Sequence, residues 1–138
     1  MTYNNLTNPL NYIKAGKAIF TVKNEETGNR FTYKVKKAKG KDIWFVFVLN
    51  GPDNYTNYAY MGSIFDSTFK RTKKSKVGED AISFKAFSWL HKRLSAGAEL
   101  PKSVVVHHEG RCGRCGKRLT VPGSIESGYG PECIKHIR

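Results

Sequence analysis

The chain has 138 residues, one domain's worth or one domain with a small appendage, and its 39% apolar and 12% aromatic content supports a modest core and excludes global disorder. Twenty-four Lys and Arg against eleven acids leave a net charge of +13, a surplus that attracts phosphate polyanions and acidic protein surfaces but says nothing about fold. The longest apolar run, Ile43 to Leu49, is far too short to cross a membrane, and the N-terminal MTYNNLTNPL lacks the apolar core of a secretion signal.

The elements follow in chain order. Asn8-Pro9-Leu10 predicts a short helix through Lys14, ended by Gly16. KAIFTVKN, the polar turn EETGN and RFTYKVKK predict a hairpin. In its second strand Phe31, Tyr33 and Val35 share one face while Arg30, Thr32, Lys34 and Lys36 share the other, so one side meets a core and the other meets water. DIWFVFVL is apolar on both faces and reads as a central strand, with Trp44, Phe45 and Phe47 expected in the core. After the turn NGPDN, YAYMGSIF reads as a fourth strand. Its Tyr58 and Tyr60, with Tyr55 before them, are expected as ordinary half-buried residues, base stacking being the alternative.

Residues 66–80, DSTFKRTKKSKVGED, show no clear period and read as a mobile basic loop carrying Lys70, Arg71, Lys73, Lys74 and Lys76. SFKAFSWLHKRLSAG predicts the main helix, capped by Ser83 or Asp80, buried through Phe84, Phe87, Leu90 and Leu94, and stopped by Gly97. Pro101 breaks the chain, and SVVV is a fifth strand leading into His107-His108. The expected fold class is therefore α+β: an antiparallel five-stranded sheet with one main helix over residues 1–106, followed by a small zinc-binding module over 107–138.

That module rests on the spacing Cys112-x2-Cys115-x17-Cys133-x2-His136. Zinc takes four tetrahedral thiolate and imidazole ligands, and C-x2-C lets one tight turn present two sulfurs to one ion. Gly113 and Gly116 suit the turn, and Gly130-Pro131 resembles a helix start that places Cys133 near the positive end of the helix dipole, with His136 one turn on. A knuckle, a hairpin and a helix in this order match a zinc-ribbon or treble-clef plan. His136 is the favoured fourth ligand and His108 the alternative. All positions filled, the Zn²⁺ site is structural rather than catalytic. Three cysteines, an odd number, in a chain expected to be cytoplasmic argue against a disulfide framework.

RCGRCGKRLTVPGSIESGYGPEC also resembles an uncharacterised zinc-ribbon-like family frequent in phage and prophage proteins, running as CGxCGR, then LT, a Ser-containing turn and GxGPxC. The matching positions are Cys112, Gly113, Cys115, Gly116, Leu119, Thr120, Ser124, Gly128, Gly130, Pro131 and Cys133, with Lys117 where the family often has Arg. The resemblance implies a phage or mobile-element setting, hence a host cytoplasm, and supplies no reaction.

Arg111, Arg114, Lys117 and Arg118 surround the knuckle and, with the 70–76 segment and the Lys34/Lys36 face, form a surface able to follow a nucleic-acid backbone. The favoured expectation is a non-catalytic protein that binds nucleic acid through these Lys and Arg surfaces. The alternative, leaning on the family resemblance, is a phage-type protein that binds and inhibits a host protein or ribonucleoprotein such as a CRISPR effector or defence nuclease. A metal-dependent nuclease using His107-His108 ranks last, because the Thr120–Gly130 stretch offers only Glu126 as a partner.

Overall fold

The computed structural model describes residues 9–50, 58–108, 112 and 114. The segments expected to form a zinc-ribbon module lie outside them, apart from Cys112, Arg114 and the preceding strand. Helix α1 (Pro9–Ile13) leads into β1 (Lys17–Asn24), β2 (Arg30–Lys37), β3 (Ile43–Leu49), β4 (Tyr58–Phe65), β5 (Thr68–Lys70), helix α2 (Ile82–Ser95) and β6 (Val104–His108). The strands form one antiparallel sheet in the order β5-β4-β3-β2-β1-β6. It curves into a half-barrel whose edges are β5 and β6.

This corrects the expected fold class. Among the described residues the chain is mostly sheet, with six strands rather than five and two helices of which α2 is the main one. The additional strand is β5, inside the segment expected to be a mobile loop. Asp66 and Ser67 both adopt positive φ (52° and 59°), the conformation of a tight hairpin turn whose twist suits the flanking strands. Three residues are too few to show a period, and Asp-Ser lacks the glycine that usually announces such a turn.

Alternation along the strands gives the sheet two unlike faces. On the inner face, Ala18, Phe20 and Val22 of β1 lie opposite Val35, Tyr33 and Phe31 of β2, and Val35 and Tyr33 continue to Val46 and Val48 of β3. Val106 and His108 of β6 extend this layer beyond β1. Helix α2 covers it with Phe84, Phe87 and Leu90, all buried, and His91 is buried beside them. Phe87 is the hub: its ring lies 5.2 Å from Tyr33, 4.8 Å from Phe69 and 6.4 Å from Phe20. Burying one such side chain is worth about 1.5–3 kcal/mol, so the helix is held by packing more than by its ends.

Its start carries no side-chain cap. Ala81 stands at the N-cap in extended geometry, and Ser83, one of two caps expected, lies inside the first turn. There the Ser83 carbonyl accepts a hydrogen bond from the Tyr33 hydroxyl at 2.8 Å, which ties the helix to β2. Gly97, at φ 74°, ends the helix as expected, its N–H donating to the Leu94 carbonyl. Leu94 is partly buried against the core.

One irregularity shapes the outer face. Val46 pairs with Gly62 but Phe47 pairs with Tyr60, so Met61 is an extra residue in β4, its side chain fully buried. Such a bulge bends the strand and reverses which residues face which side. Ile64 therefore joins the inner face, opposite Trp44, while Tyr58 and Tyr60 join the outer one. Among the described residues no helix is long and apolar enough to cross a membrane.

Candidate nucleic-acid interface

The outer face is built from the other half of the same strands. One cross-strand row runs Lys17, Lys36, Phe45, Ser63, Lys70 from β1 to β5, and the next runs Ile19, Lys34, Phe47, Tyr60 from β1 to β4. Phe45, Phe47, Tyr58 and Tyr60 are half-buried, and Phe65 at the strand end is exposed. Three of these rings form a cluster: Tyr60 lies 6.2 Å from Phe45 and 5.5 Å from Phe47. This differs from the expectation that Phe45 and Phe47 belong to the core. In IWFVFVL the inner positions are Trp44, Val46 and Val48. The cue is present, since a strand apolar on both sides needs a layer on each, and among the described residues α2 covers the inner side.

Lysines border this aromatic stripe. The Lys34 ammonium lies 4.9 Å from the Phe47 ring centroid and 4.6 Å from that of Tyr58. Partial burial there, and secondarily the charge of Lys36, hold its pKa below the usual lysine value. The six strands contain the cations Lys17, Lys23, Arg30, Lys34, Lys36, Lys37 and Lys70 and no Asp or Glu; Asp42 and Asp66 lie in the turns. Lys37 pairs with Asp42 at 3.8 Å around the β2–β3 turn.

On the other flank, the basic segment folds back onto Tyr60. The Thr72 N–H donates to Ser75 Oγ, the Ser75 N–H returns to the Thr72 carbonyl, and Ser75 is buried. This closed turn is attached to β4 twice: the Lys76 N–H donates to the Tyr60 carbonyl at 2.7 Å, and Thr72 Oγ1 donates to the Tyr60 hydroxyl, which also bonds Ser63. Arg71 Nε donates to the Val77 carbonyl, while Lys70, Arg71, Lys73, Lys74 and Lys76 are all exposed. The fold thus brings Lys34, Lys36 and the 70–76 cations to opposite borders of one aromatic stripe. From β2 to β5 is three strand spacings, about 14 Å.

The remaining expected residues are distributed differently. His107 and His108 alternate: His108 is fully buried on the inner face opposite Phe20, its ring 6.0 Å from Tyr12, whereas His107 faces outward opposite Thr21. The two imidazoles do not converge on one point. Cys112 is fully buried within the core cluster. Arg114 is exposed, and its backbone approaches the turn between α1 and β1 so closely that a Cβ at Gly16 would lie 3.3 Å from the Arg114 carbonyl. Arg111, Cys115, Lys117, Arg118, Cys133, His136 and Tyr55 lie outside the described residues, and no group of three potential metal ligands occurs among those described.

A protein-family model matches residues 105–138, and its description is a family of unknown function (DUF6011). The match begins inside β6, at the strand that pairs with β1. No curated protein and no solved structure matches the chain significantly.

Proposed function

We propose that the protein is a non-catalytic nucleic-acid-binding protein whose outer sheet face engages the phosphate backbone through Lys34, Lys36, Lys70, Arg71, Lys73, Lys74 and Lys76. The observation carrying this reading is the cross-strand row Lys17-Lys36-Phe45-Ser63-Lys70, cationic at both ends and aromatic in the middle, on a sheet whose six described strands carry no acidic residue. Lysine supplies a phosphate with charge and with donors that reorient freely, and rings beside it favour a partner that also has flat, polarizable surfaces.

The same reading includes a structural zinc ion held by Cys112, Cys115, Cys133 and either His136 or His108. Of these, Cys112 and His108 are fully buried, a sulfur and an imidazole of the donor type zinc prefers. Zinc would fold the C-terminal segment and set Arg111, Arg114, Lys117 and Arg118 beside the sheet.

One preparation tests both parts. Native mass spectrometry of the intact chain is expected to show one zinc; a well-folded zinc-free protein would remove the metal from the proposal. Binding to random-sequence DNA and RNA is expected in the micromolar range and to fall steeply with salt. Replacing Lys70, Lys73, Lys74 and Lys76 together with Gln is expected to make the log–log salt slope shallower by about 3.6 on duplex DNA, with no loss of thermal stability. An unchanged slope would show that this border does not touch phosphates.

A further inference from the structure

Resting on the nucleic-acid reading above, we infer that the Phe45-Phe47-Tyr60 stripe is a stacking site for the bases of a single strand, sugar-blind, with phosphates carried by the lysines alongside. A duplex keeps its base faces stacked inside and offers a protein only edges and phosphates. A single strand offers the faces themselves, and every base has one.

The spacing favours splayed bases over stacked ones. Phe45 and Phe47 are two residues apart on β3, about 7 Å at roughly 3.4 Å per residue. That is about twice the 3.4 Å step between neighbouring charges along one strand of a duplex. Successive rings therefore fit bases drawn apart along an extended strand. Each ring has a lysine directly across the ladder, Lys36 opposite Phe45 and Lys34 opposite Phe47. The Lys34 ammonium, which lies over the Phe47 ring in the unliganded protein, moves off it to a phosphate when a base stacks there. Tyr60 closes the stripe and fixes the basic turn against it through its hydroxyl and carbonyl. The partly buried Lys34 ammonium gains a counter-charge when a phosphate settles beside it, which offsets the desolvation and the Lys36 repulsion that depress its pKa in the unliganded protein.

The rings meet base faces and the ammonium groups meet phosphates, features that DNA and RNA share. Sugar identity is therefore expected to matter little. Inorganic polyphosphate is the informative control, being a flexible polyanion without bases.

The experiment compares oligo(dT)12, oligo(rU)12, a 12-base-pair DNA duplex and polyphosphate of matched charge, using the intact chain and its Phe45→Leu/Phe47→Leu variant. Leucine retains apolar bulk and removes the flat face, and Tyr60 is left in place because it holds the turn. Oligo(dT) and oligo(rU) are expected to bind within about threefold of each other and at least tenfold more tightly than polyphosphate or duplex. The variant is expected to lose about tenfold or more on both oligonucleotides and less than twofold on the other two. Equal affinity of the intact chain for polyphosphate and oligo(dT), a preference for duplex, a more than tenfold sugar preference, or an unchanged variant would each overturn the stacking site. The intact-chain comparison decides the matter even if the variant fails to fold. Should none of the nucleic acids bind, the nucleic-acid reading itself falls; duplex and single strand binding alike would sink only the stacking site.

Discussion

The inner and outer faces of this sheet are made by the same strands and differ in nearly every physical respect. The inner face is sealed by α2, and its rings pack against one another around Phe87. The outer face is also rich in rings, but Lys34 lies over Phe47 and Tyr58, and Lys17 and Lys70 end the row through Phe45. Even the buried hydroxyls differ: inside, Tyr33 reaches out to the helix backbone, whereas on the outer side Thr21 and Thr32 share a cross-strand hydrogen bond of 2.7 Å. Aromatic residues therefore do two jobs in one small fold, and their neighbours determine which. Rings among valines and a helix build the core; rings among lysines leave a surface.

Three measurements probe that division. The largest effect is expected from Phe87→Ala, which opens a cavity where sheet and helix meet and should cost about 3–5 kcal/mol in urea unfolding. The outer-face pair Phe45→Leu/Phe47→Leu should cost under about 1.5 kcal/mol per site, since the swaps nearly conserve volume and the rings are only half-buried. Equal costs would erase the distinction between the faces.

Next is Gly62→Ala, where the added Cβ would sit 2.4 Å from the Lys70 carbonyl, a backbone atom that cannot rotate aside. The expected cost is about 1–3 kcal/mol, together with lost hydrogen-exchange protection at the β4–β5 pairing. Protection unchanged from the parent would mean that β5 tolerates displacement, and that the basic turn is not positioned by this close approach.

The smallest is a pH effect on the inner face. Burial, and then the charge of Lys14, lower the pKa of His91 below its ordinary value of about 6.5. The unfolded state then binds this proton more readily than the folded one, so stability is full above about pH 6.5 and falls as the pH drops toward the folded pKa. The slope from this residue is at most about 1.4 kcal/mol per pH unit. Urea unfolding between pH 5 and 8 should show it in the parent and not in His91→Leu; identical profiles would remove His91 as its source.

Much of the fold was legible because alternation is a local property. β1, β2 and β4 begin and end where their patterns do, and the inner set Phe31, Tyr33 and Val35 was readable from the strand alone. His91 escaped because a histidine on a helix reads as polar until something packs over it; here its ring stacks on Phe87. The cap of α2 was misplaced because Asp80 and Ser83 are good capping residues, whereas packing set the helix start at Ile82. The candidate site is half legible: its lysines stand out by charge and Tyr58 and Tyr60 read as half-buried, while Phe45 and Phe47 read as core.

By itself, the order of residues determined the charge, the strands that alternate, the glycine that stops α2 and the clustering of cysteines near the C-terminus, since each depends on neighbours a few positions away. Only the tertiary structure decided which face the rings of β3 and β4 occupy and what lies beside them. One extra residue at Met61 reverses the facing of β4, and a hairpin too short to show a period brings the basic turn back to Tyr60. Both depend on pairing between strands, where side-chain facing follows the register of the ladder and not the local sequence alone.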